Sequence, residues 1–325
     1  MKICFLTHNL EQDNGAGVFS SRLIEGVRPM FEEIRKIFIN CDIIHALDAF
    51  PYGVIAVFFS FGLRKKIIIT AVGTGAIGRL YNPYYAWLLK YAYKKADKVV
   101  AISNFTKKEI LKKVRGMDIE VITHGVDFEK FQERARPNVL NPYILSVGAI
   151  RWRRGYKFSL QAFVEISKKM PDLKYVIIGK KFSEEYLSKL QRQIKDLGLG
   201  NKVFIFTDVS EEEIREFYRG AELFCLLSQN VRHDVEGFGL VFLEAAAAGL
   251  PVVGAKDSGV EDAVLDGENG LLVPPQDIRG FSDAVIKILS DITLRQKMSL
   301  KSIEFAKKSG WDEKIKKYSE LYGSI

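Results

Sequence analysis

The sequence predicts an α/β protein of two tandem Rossmann-like units, and three observations carry that reading. Its 325 residues exceed most single cores and suit two α/β domains of ordinary size. Short apolar runs alternate with helical patterns twice over, first across residues 2–123 and again from residue 143. Between the two series lies Arg136-Pro137-Asn138-Val139-Leu140-Asn141-Pro142, a stretch of structure-breaking residues that reads as a linker. Two such units in tandem place a ligand cleft at the carboxyl ends of their strands.

In the first series, residues 2–7 form an apolar run that ends in a polar loop, as a first strand does. The loop closes on Asn14-Gly15-Ala16-Gly17, and a helical pattern follows over 18–27. Residues 43–46, 66–70, 98–103 and 120–123 read as further strands. Gly73-Thr74-Gly75 reads as a loop, and 84–95 as a helix with Pro83 in its first turn. Thr106 and Glu109 have capping-box spacing at the start of another helix. In the second series the predicted strands are 144–148, 175–179, 203–207, 223–227 and 251–255, with a capping box at Ser210 and Glu213. Residues 311–325 read as a terminal helix, with Trp311, Ile315 and Tyr318 at helical spacing.

Composition narrows the class. Hydrophobic residues make up 47% and charged residues 27%, which fits a globular protein and not a disordered one. The three cysteines, Cys4, Cys41 and Cys225, are scattered, odd in number and not at metal-ligand spacing, so a reducing compartment and no disulfide framework are expected. The opening MKICFLTHNL has too short an apolar run for a secretory leader. Residues 49–63 form the longest apolar stretch; with Pro51 and two glycines it is too short to span a bilayer and reads as buried core. A cytoplasmic location follows, with peripheral attachment to the inner face of the membrane as its extension.

Charge is unevenly spread. The net charge is +8, yet residues 64–115 hold thirteen basic residues against two acids, Asp97 and Glu109. A block of this kind seeks a polyanion: an anionic membrane surface, a phosphorylated acceptor or nucleic acid. No nucleic-acid-binding module accompanies it, so nucleic acid is not expected as a partner. The helix at 84–95, YYAWLLKYAYKK, could lie at a bilayer surface with its rings in the interface and its lysines on anionic lipid; a core helix with a wet edge is the other reading.

The segment richest in chemistry runs Glu236-Gly237-Phe238-Gly239-Leu240-Val241-Phe242-Leu243-Glu244, followed by four alanines, Gly249 and Pro251. Its glycines make a tight loop through which backbone approaches a ligand closely. A helix is predicted from about Leu240, and its free amides form an anion site suited to a diphosphate. Glu244 then sits one turn inside the helix and Glu236 in the loop before it, so the two carboxylates address different parts of one ligand. The alanines permit close packing on a sheet, and Gly249 with Pro251 ends the helix.

This segment resembles the E-x7-E motif of retaining glycosyltransferases of the GT-B fold, glycosyltransferase family 4 in particular. Gly125-Val126-Asp127-Phe128-Glu129-Lys130-Phe131 is similar to the family's G-V-D-x-x-x-F segment, and Ala101-Ile102-Ser103 to its strand ending in serine. Asp266-Gly267-Glu268-Asn269-Gly270-Leu271-Leu272-Val273-Pro274 is similar to its D-G-x-N-G-x-L-V-P turn. The resemblance covers nearly the whole chain. It implies an acceptor-side domain at 1–137 plus 311–325, shortened and with the terminal helix crossing back onto it, and a donor-binding domain at 138–310. It implies transfer of a hexose from a UDP, GDP or ADP sugar to a glycan, lipid or lipid-linked acceptor. Glu236 would meet the donor sugar beside the anomeric carbon and Glu244 the ribose hydroxyls. Phe238 would line the donor site, and the amides of Gly239 and Leu240 would hold the diphosphate. Gly15, Ala16 and Gly17 would close on the same phosphates, and Gly179 and Val209 would frame the base. Gly73 and Thr74 would stand on the acceptor side. No DxD-type metal clamp is evident, so neither a metal nor another cofactor is expected.

The chain departs from the family pattern at three places. Where the family has G-R-x-x-x-x-K-G, this sequence has Gly148-Ala149-Ile150-Arg151-Trp152-Arg153-Arg154-Gly155. Arg154 takes the lysine position and can grip a phosphate bidentately, while Arg151 stands in for the arginine that Ala149 replaces. Val72 replaces the histidine that often precedes the glycine–threonine pair. The first unit is also short after residue 27. His45, at a strand end, faces the cleft on this reading but receives no role. Two rivals stay open: a GT-B epimerase or phosphorylase, and an accessory subunit that keeps the fold without turnover. A dinucleotide dehydrogenase is disfavoured, because no G-x-G-x-x-G follows either first strand.

Overall fold

A computed structural model describes residues 1–7, 41–132, 140 and 142–325. The chain forms two compact units. One comprises Met1–Gly125, Val231–Phe238 and Ser309–Ile325; the other comprises Val126–Asn230 and Gly239–Lys308. The Gly15-Ala16-Gly17 turn and most of the 136–142 stretch lie outside the described residues.

The first unit is built on parallel strands β1 (Ile3–Leu6), β2 (Ile43–Ala46), β3 (Lys66–Ala71), β4 (Lys98–Ala101) and β5 (Ile119–Val121), side by side in that order. Its described helices are α1 (Val54–Phe59), α2 (Gly73–Ile77), α3 (Pro83–Lys95) and α4 (Asn104–Lys113). Both faces of the sheet are apolar, as parallel sheets require. Ile44, Ile67, Ile69 and Val99 point to the face covered by Ala56, Leu89 and Tyr93. Ile3, Ile43, Ile68 and Val100 point to the other, and α11 (Trp311–Gly323) covers it with Trp311, Tyr318, Leu321 and Tyr322. The terminal helix therefore completes the first unit.

The second unit carries β6 (Tyr143–Val147), β7 (Lys174–Ile178), β8 (Val203–Phe206), β9 (Leu223–Leu226), β10 (Val252–Ala255) and β11 (Gly270–Val273), all parallel. Their spatial order is β11-β10-β9-β6-β7-β8. The helices are α5 (Tyr156–Lys169), α6 (Glu184–Asp196), α7 (Glu211–Gly220), α8 (Leu240–Ala247), α9 (Ile278–Ser290) and α10 (Ile292–Lys308). The chain winds outward from β6 through β7 to β8, then returns to β9 on the other side of β6. The connections leaving β6 and β9 diverge there, which is where a doubly wound sheet opens a crevice for ligand.

Several local expectations change. Gly73, Thr74 and Gly75 belong to the short helix α2 and not to a loop. The cap of α4 is Ser103, whose hydroxyl accepts from the Thr106 amide at 2.9 Å; Thr106 is already inside the helix. At α7 the capping box is as read: Ser210 and Glu213 bond reciprocally. The D-G-x-N-G turn opens a sixth strand, β11, whose four residues carry no alternation to announce it. Residues 49–63 are not all core, because Phe58, Phe59, Phe61 and Leu63 face solvent.

His45 does not face a cleft. It is fully buried between β2 and α11, its Nδ1 2.8 Å from the Tyr322 hydroxyl and its Nε2 2.8 Å from Thr70 Oγ1. Burial holds its pKa down from 6.5 to about 3. The unfolded chain therefore binds a proton that the folded one refuses. His45's contribution to stability is complete above pH 6.5 and is lost as pH falls toward 3. His45→Gln, which keeps both hydrogen-bonding roles, should flatten this dependence. Urea midpoints measured from pH 7 to pH 4 should fall more steeply for the wild type than for the variant.

Candidate functional site

In the second unit, the switch point between β6 and β9 is lined by residues 148–155. Gly179, just beyond β7, sits so close that a Cβ there would lie 1.9 Å from the Gly148 carbonyl oxygen. Gly155 is as tightly placed: a Cβ would lie 1.9 Å from the Leu227 carbonyl oxygen, and its φ of +72° is left-handed. The Arg153 carbonyl accepts from the Gln229 amide at 2.8 Å, and the Tyr156 hydroxyl donates to the Gly148 carbonyl at 2.7 Å. These contacts fix the arginine loop between the ends of β7 and β9.

Arg154 lies along Gly148, where a Cβ would stand 3.1 Å from its Nε. Arg151 places its guanidinium 5.7 Å from the Phe182 ring centre. Arg153 is buried and carries no ligand-facing assignment. Val209 is partly exposed in the turn between β8 and α7, directly before Ser210.

Gly239 takes a left-handed conformation (φ 85°, ψ 51°) and caps α8, so Leu240 is its first helical residue. Phe242, Leu243 and Ala245–Ala247 bury the inner side of α8, as the alanine run requires. Glu244 lies one turn in. The Tyr218 hydroxyl donates to its Oε2 at 3.0 Å and to the Val241 carbonyl at 3.3 Å. Burial pushes the Glu244 carboxyl pKa up, the Tyr218 bond opposes that rise, and nearby Glu211 adds to it. Burial raises the Tyr218 hydroxyl pKa; the Glu244 charge adds to that rise and the Arg154 charge opposes it. Tyr218 escaped the sequence reading, because a tyrosine on the buried side of an amphipathic helix looks like any core residue.

The segment Val231–Phe238, with Glu236, belongs to the first unit. It is clamped there by the residues read as acceptor-side. Thr74 Oγ1 donates to Asp234 Oδ1 at 2.9 Å and accepts from the Val235 amide at 3.1 Å. Gly73 and Gly237 meet backbone to backbone, since a Cβ on Gly237 would lie 2.7 Å from the Gly73 Cα. Glu236 is buried. Phe238 is also buried, its ring 5.3 Å from that of His124. Burial lowers the His124 pKa to about 4; the Glu236 charge opposes that shift and Lys314 reinforces it. His124, just before the G-V-D segment, was missed; Glu236, whose charge acts on it, lies more than a hundred residues away in sequence. Asp48, past the end of β2, is a further unforeseen carboxylate. Burial raises its pKa to about 7 although its Oδ1 accepts from the Ala49 amide at 2.7 Å, and its Oδ2 lies against Gly75. Among the described residues, no group of three or more His, Cys, Asp or Glu side chains is arranged to hold a metal.

Two parallel α/β units, a glycine-capped helix at the switch point and the E-x7-E carboxylates define a chain of the GT-B glycosyltransferase class. A family model for glycosyl transferases group 1 matches residues 127–305, and one for glycosyltransferase family 4 matches residues 14–130. The chain belongs to the glycosyl transferases group 1 family. It is 29% identical over 242 residues to the GDP-mannose-dependent alpha-(1-6)-phosphatidylinositol monomannoside mannosyltransferase of Mycolicibacterium smegmatis, covering 71% of this chain and 62% of that one. It is 32% identical over 222 residues to the D-inositol 3-phosphate glycosyltransferase of Corynebacterium urealyticum, covering 64% of this chain and 51% of that one. The chain thus spans between half and two thirds of these relatives' length. In fold it is similar to Anabaena HepE, crystallised with UDP and glucose, with a TM-score of 0.83 at 18% identity over the whole of both chains.

Tyr218→Phe removes the hydroxyl that partners Glu244. The Glu244 pKa should rise further, read by carboxyl-selective NMR titration, and the fold should lose about 1–3 kcal/mol in chemical denaturation. An unchanged Glu244 titration would contradict the pairing.

Proposed function

We propose that this chain is a retaining glycosyltransferase that moves a sugar from a nucleotide-diphosphate sugar to a glycan, lipid or lipid-linked acceptor. The observation that carries the reading is the amide end of α8, capped by left-handed Gly239 at the switch point, with Glu244 held one turn inside by Tyr218. A diphosphate placed there meets the Gly239 and Leu240 amides and the positive end of the helix. Glu244 takes the ribose hydroxyls, and Gly179 and Val209 frame the base. Residues 1–137 with 311–325 serve the acceptor and 138–310 the donor. GDP-mannose in one relative's name and UDP in a structural neighbour support a nucleotide-diphosphate donor.

The chemistry follows from charge. As the sugar–phosphate bond breaks, its electron pair stays on the nucleotide diphosphate, whose charge grows by one. Arg154, with Arg151 in place of the family's first arginine, stabilises that growth together with the helix amides. Glu236 orients the donor sugar beside the anomeric carbon. The acceptor oxygen bonds to that carbon, and the leaving phosphate takes its proton. An anionic membrane surface, met through residues 64–115, is the setting in which such an acceptor is presented.

A thermal-shift and calorimetric panel of UDP, GDP and ADP and their sugars should give saturable binding to one nucleotide. Arg154→Ala should then lower turnover by about 10²–10³-fold, the range for losing one preorganised hydrogen-bond donor at a developing anion. Glu236→Gln should lower turnover while nucleotide affinity stays within about threefold. Nucleotide binding without sugar transfer or hydrolysis by the wild type would instead identify an accessory subunit, and no binding at all would sink the reading.

A further inference from the structure

The apolar run that looked like core ends in water. Phe59 and Phe61, at the end of α1 and in the turn after it, are 70% and 86% exposed. Along α3, Tyr84, Trp87 and Tyr91 recur at three- and four-residue spacing on one stripe, and Tyr84 and Trp87 are 80% and 61% exposed. The two sets form one surface, because the rings of Phe58 and Tyr91 lie 5.5 Å apart. Isolated exposed apolar residues need no explanation, but a contiguous aromatic patch marks an interaction surface.

Charge identifies what the surface meets. Arg64 and Lys65 follow the turn directly, and Lys90, Lys94 and Lys95 lie on α3 itself. The Lys95 ammonium stands 5.8 Å from the Tyr91 ring centre. No aspartate or glutamate occurs anywhere from residue 49 to residue 96. Acids stand at one margin, where Asp97 and Asp118 line a depression with Lys94 and Asp97 pairs with Lys66; the charged residues of the turn and of α3 themselves are all basic. Rings that sit at the headgroup level, ringed by lysines that reach anionic phosphates, are the pattern of a bilayer-surface element. Among the described residues no helix is long and apolar enough to cross a membrane.

We propose that the end of α1 with the turn after it (residues 58–61) and the exposed stripe of α3 dock this chain onto an anionic lipid bilayer. Phe59, Phe61 and Trp87 enter the interface, and Arg64, Lys90, Lys94 and Lys95 bind lipid phosphates. This deepens the membrane setting given above and rests on it, but it requires nothing of the donor chemistry.

The test is co-sedimentation of the full chain with vesicles of phosphatidylcholine alone and of phosphatidylcholine mixed with phosphatidylserine or phosphatidylglycerol. Binding to both anionic mixtures at low salt, weakened by raising salt and absent on phosphatidylcholine alone, is expected. Phe59→Ser/Phe61→Ser should weaken binding at least about tenfold, since burial of one such ring is worth more than that factor. Lys94→Glu/Lys95→Glu should weaken it and flatten its salt dependence. Both variants change exposed side chains, and circular dichroism with nucleotide binding checks that each is folded. No sedimentation with anionic vesicles, equal sedimentation with phosphatidylcholine, or full binding by the folded variants would overturn the proposal. So would a wild-type dimer in solution that the Phe59→Ser/Phe61→Ser variant breaks while lipid binding is absent. A chain that binds nucleotide yet ignores vesicles would sink the docking surface alone; one that binds vesicles yet no nucleotide would sink the transferase reading alone.

Discussion

The second unit depends on backbone meeting backbone with no side chain between. Gly155 faces the Leu227 carbonyl and Gly179 the Gly148 carbonyl at distances that any Cβ would violate. Only that contact lets the β6 connection settle over the carboxyl ends of β7 and β9. Everything placed there follows from it: the arginines of residues 151–154 are presented from a fixed loop, and the Gln229 amide ties that loop to the end of β9. A flexible loop would present the same arginines at a large entropic cost on each binding event. A preorganised one has met that cost in folding, which is the condition for fixed charges to act on a developing anion.

The first unit shows the same economy with different groups. Thr74 holds both a side chain and a backbone amide of the Val231–Phe238 segment, and Gly73 gives that segment room. Residues read as facing an acceptor are thus also the ones that hold the loop bearing Glu236. His124 and Phe238 close its other side, and their burial keeps the imidazole neutral near neutral pH.

What the sequence disclosed depended on how local each feature is. Strand periodicity, the Ser210–Glu213 box and the E-x7-E spacing are settled within a few residues, and the structure carries strands, cap and helix where they point. The Ser103 cap was hidden because Thr106 and Glu109 imitate a capping box one turn too late; the hydroxyl that reached the free amide first decided it. Tyr218 and His124 were illegible because the groups they meet, the Glu244 carboxylate and the Phe238 ring, come close only through tertiary folding. The 49–63 run misled for a different reason. Hydrophobicity records what a side chain avoids, not whether folding finds it a place, and the last residues of α1 extend past the edge of the core.

The terminal helix has a temporal implication. Trp311, Tyr318, Leu321 and Tyr322 form one wall of the first unit's core, and Trp311 packs where a Cβ on Gly125 would intrude. During synthesis, the sheet of β1 to β5 leaves the ribosome with that wall missing, while every strand of the second unit precedes the helix in the chain. The unit made first is therefore the unit completed last. Its half-covered sheet must stay out of trouble for the time the ribosome takes to translate nearly two hundred further residues, so aggregation on the ribosome is the hazard this architecture carries.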